Sequence, residues 1–524
     1  MTGQSPHHQT HQHAPGACPH DGLDRRTFLR RTGALGGLLA AGVAGGGLAA
    51  DLLGGSAPAR AAGEVAAGDL DPLALLREML SYDTQNFGEG GNTRPHAEML
   101  KAKWDAAGVS SKIIPTPQPD NVHLVARIEG DASNDPLLLL GHSDVVPVER
   151  EQWSVDPFGG VVKGGMVYGR GALDMKGANA AFISALLRHV SEGAKFDRDI
   201  IVLTDADEEA GSYGSAWLAQ NHWDEIDAGM VLTEGGWFLA QEDGRTPMMI
   251  TVTRQDKQYF NIDVTAEATA THSSKPIPDA AVVKLSRALA RLGEWSAPVR
   301  ITPVTRRYFE ALARATEDER WARAIRQMLG ARNAAVRERA AKVVVSRSDY
   351  PWLHSALLRT THSFVIAEAG YKENVIPSTA TARLNCRGLP GGQTPQQFMA
   401  QLRRVAGDDV TLEFQRYEGE SDEDVEARLA QPKIASSVDS PLYRAIAASA
   451  RATYPEAVFA PALFEAGTSL GPWVERGVPG YGVYPYVLDG PSLVTMHGND
   501  ERIGVQALRQ GTEFMYGVFD RFRR

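Results

Sequence analysis

The sequence predicts an α/β protein whose sheet carries a polar rim, with a second domain inserted before the first is complete. Two observations carry this reading. Three short apolar runs, Leu137 to Leu140, Ile200 to Leu203 and Val231–Leu232, each end in a segment rich in His, Asp or Glu. Buried strands of open α/β sheets deliver functional groups to one rim in this way. The candidate functional residues lie between positions 142 and 234 and again at 497, so the chain must leave the first domain and return to it.

The elements follow in order. Residues 1–61 read as a twin-arginine export signal: Asp24-Arg25-Arg26-Thr27-Phe28-Leu29-Arg30, a Gly/Ala/Leu run from Gly33 to Leu53, and the small-x-small site Ala59-Arg60-Ala61. The Gly-rich run is only weakly apolar for a spanning helix, so the membrane is expected to matter during export alone. The destination is periplasmic or secreted. The first part of the catalytic domain is assigned to residues 70–253. It opens with Asp71-Pro72 followed by Leu73, Leu76, Met79 and Leu80, a capped amphipathic helix. His142 and Asp144 follow a strand two residues apart, so both side chains point the same way if the strand continues. Asp144 would then hold the His142 imidazole and fix its tautomer. Asp174 precedes a helical stretch from Ala178 to Val190 and, taken alone, reads as a first-turn charge.

The excursion is placed at residues 254–420. Tyr259 to Val264 and Thr379 to Cys386 alternate like strands, and Ala281 to Leu292 reads as a helix. Arg306 to Lys342 is extra helix, with Phe309, Leu312, Trp321, Ile325 and Met328 at helical spacings. Residues 421–524 complete the catalytic domain.

Composition is that of an ordinary globular enzyme: 524 residues, 43% hydrophobic and 23% charged. The net charge is −10, and without residues 1–61 the remaining 49 basic side chains face 61 acidic ones. No basic surplus points to nucleic acid. Cys18 lies in the leader and leaves Cys386 alone, so the processed chain has no pair for an internal disulfide.

The chemistry lies in five motifs, LLLLGHSDVVP, GRGALDMKG, TDADEEAG, LTEGG and MHGNDER. Their candidates are His142, Asp174, Glu208, Glu209, Glu234 and His497. Any one of these carboxylates alone is an unremarkable loop acid, and the ordered set is what signals. Two imidazoles and several carboxylates suit a pair of Zn²⁺ ions, which about 3.5–4 Å apart share one water and clamp the transition state of amide hydrolysis. Co²⁺ or Mn²⁺ would tolerate the same ligands. Of two adjacent acids, one can ligate while its neighbour stays free for proton transfer.

With these motifs, from about Leu73 to the C-terminus, the chain resembles the co-catalytic zinc amidohydrolases that include glutamate carboxypeptidase, aminoacylase, acetylornithine deacetylase and succinyl-diaminopimelate desuccinylase. The spacing of Trp153 and Pro157-Phe158 is similar to the carboxypeptidase-like branch. The resemblance implies a mixed-sheet zinc-exopeptidase catalytic domain with an inserted smaller α+β lid and dimerisation domain. It implies that Asp174 bridges two Zn²⁺ ions, with His142 and Glu234 on one and Glu209 and His497 on the other. Glu208 is then the general base. His272 in Ala270-Thr-His-Ser-Ser-Lys-Pro276 resembles a histidine that stabilises the oxyanion, commonly across a dimer. Asn374 and Arg387 match lid positions that bind a substrate carboxylate, a task for which the guanidinium fork is suited. Where relatives often have Gly-Thr-Asp, this chain has Gly467-Thr468-Ser469, which leaves the Gly467 backbone free to approach a ligand but removes an acid.

The expected activity is hydrolysis of short peptides in a carboxypeptidase-like manner, or of N-acyl amino acids, by a water shared between the metals. The alternatives are an aminopeptidase or dipeptidase-like member of the same family, or a catalytically silent metal-dependent binding protein. A serine hydrolase would need a Gly-x-Ser-x-Gly elbow; the pattern occurs once, at Gly467-Thr468-Ser469-Leu470-Gly471, and the ordered His, Asp and Glu set favours the metal reading over it.

Overall fold

The computed structural model describes residues 65–523 except 89, 418 and 432, so the expected leader lies outside the described residues. The three apolar runs are strands Leu137–His142, Ile200–Asp205 and Met230–Thr233, each buried along its whole length. Leu137–His142 lies between the other two and parallel to both. Both faces of these strands are covered. Leu137 and Leu139 enter one core, while Leu138 and Leu140 enter a second that includes Leu218 and Trp473.

Around them stands a ten-stranded mixed sheet. One wing is antiparallel, Ser110–Pro115 on Val122–Ile128 and that strand on Ile200–Asp205. The other continues through Gly480–Gly482, Pro247–Asp256, Phe238–Ala240 and Val487–Leu488. Val458–Phe464 runs parallel beside Pro247–Asp256. Helices Pro72–Leu80, Lys176–Ser191 and Val505–Asp520 pack on one another and contribute to the larger core. The first begins as expected, with the Asp71 side chain accepting from the Leu73 N–H and Pro72 in the first turn.

The helical stretch after residue 302 is divided. Pro303–Ala315, Glu319–Gly330 and Ala334–Ser346 each start at their own capping side chain, Thr302, Asp318 and Asn333. Phe309, Leu312, Trp321, Ile325 and Met328 are buried in the larger core, and Pro303–Ala315 lies against Val458–Phe464. Although these helices interrupt the inserted segment in sequence, they thicken the large sheet.

The rest of the insert builds a second, four-stranded antiparallel sheet in the order Thr361–Ala369, Thr379–Gly388, Gln258–Glu267 and Thr411–Phe414. Helices Ala281–Glu294 and Pro395–Ala406 pack together against it. Lys257 stands at the junction of the two sheets, 1% exposed. Its Nζ donates to the carbonyls of Ala356 and Arg359 and to Thr361 Oγ1, and its N–H faces the carbonyls of Phe464 and Ala466. Residues 415–428 form a separate unit, held by an Arg428–Glu420 ion pair and a Ser421–Asp424 cap. Among the described residues no helix is long and apolar enough to cross a membrane.

Candidate active site

The rim of the parallel strands gathers His142, Asp174, Glu208, Glu209, Glu234 and His497. His142 ends its strand, and its backbone carbonyl accepts from Asn179 Nδ2 at 2.7 Å. A Cβ at Gly141 would sit 1.9 Å from Asn179 Oδ1, so the residue before the histidine has to be glycine for this helix to come so close. Glu234 leaves its strand into Gly235-Gly236, both at positive φ. A Cβ at Gly236 would meet the Gly482 carbonyl at 2.4 Å.

Asp174 stands between the histidines. Its Oδ1 is 3.1 Å from His142 Nε2 and its Oδ2 is 3.0 Å from His497 Nε2. Around Oδ1, Glu234 Oε2 lies 4.0 Å from His142 Nε2; around Oδ2, Glu209 Oε1 lies 3.2 Å from His497 Nε2. The potential ligand atoms of His142, Asp174 and Glu209 are within 4.8 Å of one another, as are those of His142, Glu208 and Glu234. Asp174 is not the helix cap: Lys176–Ser191 starts two residues later, after a cis Asp174–Met175 peptide.

Asp144 does more than the expected alignment of His142. The imidazole Nδ1 lies 2.9 Å from the Asp144 backbone carbonyl and 3.4 Å from its Oδ1. The carboxylate also accepts the backbone N–H groups of Glu208 and Glu209 and the Asn86 amide. One buried acid therefore orients a histidine and the loop carrying two glutamates.

Asn86 also donates to Asp207, whose carboxyl is pushed up to about 6 by burial with Asp144 and Asp205 nearby. Glu501 and Arg170 are a further buried brace. Glu501 accepts from the N–H groups of Leu173 and Asp174 and pairs with Arg170 at 2.7 Å. Arg170 in turn stacks over Trp153. Their signal was present in the sequence, because both residues fall inside motifs already singled out. Tyr484 gave none. Its buried hydroxyl donates to Asp174 Oδ1 at 3.0 Å and Glu234 Oε2 at 2.6 Å.

Electrostatics suit a cation. Burial, with Glu209, Asp174 and Asp144 around it, pushes the Glu208 carboxyl up to about 8, and burial beside Asp174 and Glu208 raises Glu234 as well. Burial disfavours charge on His142 and His497, but the surrounding acids outweigh it, raising the first and taking the second to about 11. Glu209 Oε1 is buried, with the His497 imidazole at 3.2 Å as its one close polar neighbour among the described residues and no well-aligned hydrogen bond. Acids that repel one another, arranged around two imidazoles, form an N/O donor set that a divalent cation would satisfy.

The substrate-contact candidates separate into two groups. Arg387 approaches the cluster closely enough for Glu208 to influence its charge. Its guanidinium stacks over Tyr259, lies against Gly467 and donates from Nε to Asn385 Oδ1 at 3.1 Å, and no carboxylate among the described residues is paired with it. His272 and Asn374 sit elsewhere, exposed on the two-stranded ribbon of Thr271–His272 and Val375–Ile376. His272 Nδ1 is bonded to Ser274 rather than to the cluster. At Thr468 a carboxylate arrives from another strand, Asp256 Oδ2 accepting both its N–H and its hydroxyl. Beyond this turn lies a cavity of about 270 Å³ lined by Asp256, Lys433, Leu470 and Val474, and no cluster residue reaches it.

The model of peptidase family M20/M25/M40 matches residues 138–521. The chain belongs to this family. It is 28% identical over 405 residues to the "Probable carboxypeptidase S-like 2" of Dictyostelium discoideum, covering 76% of this chain and 73% of that protein. It is 26% identical over 404 residues to a human N-fatty-acyl-amino acid synthase/hydrolase, covering 75% of each. The fold is shared with the M20 family metallo-carboxypeptidase Sso-CP2 of Sulfolobus solfataricus, with a TM-score of 0.61 and 19% identity over 86% of this chain and 99% of that one. Like the family to which it belongs, the protein is a hydrolase with a centre suited to metal.

Proposed function

We propose that this M20-family hydrolase is a di-zinc exopeptidase or N-acyl-amino-acid amidohydrolase, with carboxypeptidase-like cleavage of short peptides as the first choice. One observation carries the reading: the two oxygens of Asp174 face different histidines, each with a further glutamate beside it. His142, Asp174 and Glu234 would hold one Zn²⁺, and Glu209, Asp174 and His497 the other. Such a pair supplies Lewis acidity to the scissile carbonyl and makes a nearby water a better nucleophile at neutral pH. The chain supplies the rest. Glu208 takes the proton from the attacking water at a carboxylate oxygen and delivers it to the leaving nitrogen. Asp144 keeps Glu208 in reach through its backbone N–H. Arg387, lacking an acid of its own, receives the free carboxylate of the substrate.

The exposed positions of His272 and Asn374 suit action on the active site of a second copy. The edge strand Thr361–Ala369 exposes Phe364, Val365 and Ile366, a surface that a homodimer through the small domain would cover. Twin-arginine export to the periplasm or medium completes the reading.

The test is amine release from free dipeptides and N-acyl amino acids, each beside its C-terminal amide, using enzyme stripped by chelator and reloaded with Zn²⁺. Cleavage is expected to need the metal and to fail on the amides. Cleavage indifferent to amidation would remove Arg387 from substrate binding. Glu208→Gln should retain both cations and lose about 10²–10⁴-fold in kcat; a variant with unchanged kcat would refute the proton-transfer role.

A further inference from the structure

Three buried tyrosines in this fold satisfy their hydroxyls on backbone carbonyls. Tyr486 donates to Leu173, Tyr350 to Leu488 and Tyr481 to Ser437. Tyr484 differs, because both of its acceptors are carboxylates of the cluster, Asp174 Oδ1 and Glu234 Oε2. These two oxygens belong to the half that contains His142. Uncompensated carboxylates repel strongly where water is excluded, and a hydroxyl between them supplies a donor without adding charge.

The ring carrying that hydroxyl is itself held in place. It stacks on Trp237 with centroids 4.5 Å apart and planes 7° apart, and Tyr486 flanks it. Trp237 Nε1 donates to Glu465 Oε1 at 2.8 Å. Glu465 lies two residues before Gly467, on the segment against which Arg387 rests. A continuous set of contacts thus runs from the substrate-side loop, through an indole and a phenol, to two cluster oxygens.

We propose that Tyr484 is a positioning residue for the cation of the His142 half: its hydroxyl fixes the placement of Asp174 Oδ1 and Glu234 Oε2, and Glu465 fixes the phenol through the Trp237 indole. This rests on the two-cation reading and extends it to residues outside the ligand set. Removing an outer partner of metal ligands typically weakens affinity by about 10–100-fold.

The test is stepwise Zn²⁺ titration of the stripped, full-length processed protein by calorimetry. Wild type should show two steps. Tyr484→Phe, which keeps the ring stack and removes one oxygen, should weaken one step about 10–100-fold and leave the other unchanged. Trp237→Phe, which keeps an aromatic neighbour and loses the donor to Glu465, should weaken the same step less. At saturating Zn²⁺ the kcat of Tyr484→Phe should return towards wild type with KM unchanged. Two wild-type steps and a Tyr484→Phe profile identical to wild type would overturn this proposal alone. A wild type that takes up no cation would refute the functional reading and this inference with it. Loss of both steps together, in a stripped variant that melts lower, would mark Tyr484 as structural and overturn the positioning role.

Discussion

His142 and Glu234 are delivered by the ends of adjacent parallel strands, whereas Glu209 and His497 come from loops. In exposure the difference lies at the histidines: the His142 side chain is 2% exposed and that of His497 47%, while Glu234 and Glu209 are alike at 6% and 8%. It is visible in the backbone too, since His497 sits at φ 58°, a left-handed conformation uncommon outside glycine. Ladder hydrogen bonds hold the strands that deliver the first pair, as far as His142 and Thr233, whereas the loops of the second are held by side chains: Asp144 on the Glu209 N–H, and Glu501 with Arg170 along the His497 segment. Similar ligand chemistry is thus mounted on supports of different stiffness, with Asp174 as the shared member. The His142 half should be the retentive one, and the His497 half the one that exchanges with solvent.

The strongest way to break this comparison is to remove what the halves share. Asp174→Asn should impair cation retention in both and cost several kcal/mol of transition-state stabilisation, roughly 10³-fold or more in kcat/KM. Full activity with two cations retained would mean that the halves are not joined through Asp174. The comparison is sharpened by separating them. Chelator applied to the loaded enzyme should remove cations in two phases, and His497→Gln should abolish the fast phase while His142→Gln abolishes the slow one. An effect of about tenfold or more on each phase is expected, and a single phase in wild type would erase the distinction.

A third histidine provides the reference for what a buried imidazole does without acids. His354 is fully buried between Tyr308 and Ser348, and burial pushes it down to about 3. The unfolded chain binds that proton near pH 6.5 while the folded chain refuses it, so stability falls as pH drops below 6.5 towards 3. By pH 5 the loss approaches about 2 kcal/mol. Urea unfolding of His354→Gln should show a shallower pH slope than wild type, and equal slopes would refute the assignment.

Much of the cluster was legible because its members follow apolar strands or stand beside glycines whose absence of a Cβ is needed. The runs from 137, 200 and 230 became central strands because burial on both faces leaves an unbroken apolar pattern. The helices after 302 were recognisable by spacing, but not their breaks or destination. Thr302, Asp318 and Asn333 were ordinary polar residues until each was seen capping a helix. No periodicity states which sheet an amphipathic face will cover. Tyr484 was invisible for a similar reason: a tyrosine in an apolar run reads as core, and only the fold shows which oxygens meet its hydroxyl. His272 and Asn374 mark another boundary, since one chain leaves both on an exposed ribbon.

Lys257 has a consequence for cooperativity. The strand that ends at Asp256 belongs to the large sheet and the one that begins at Gln258 to the small sheet, and the Nζ of the residue between them bonds only to protein groups, on the half-buried residues Ala356, Arg359 and Thr361. Pulling the sheets apart would break these bonds together, each worth about 1 kcal/mol net. The two sheets should therefore unfold as one calorimetric unit with a single heat-absorption peak, and two resolved peaks would break the link.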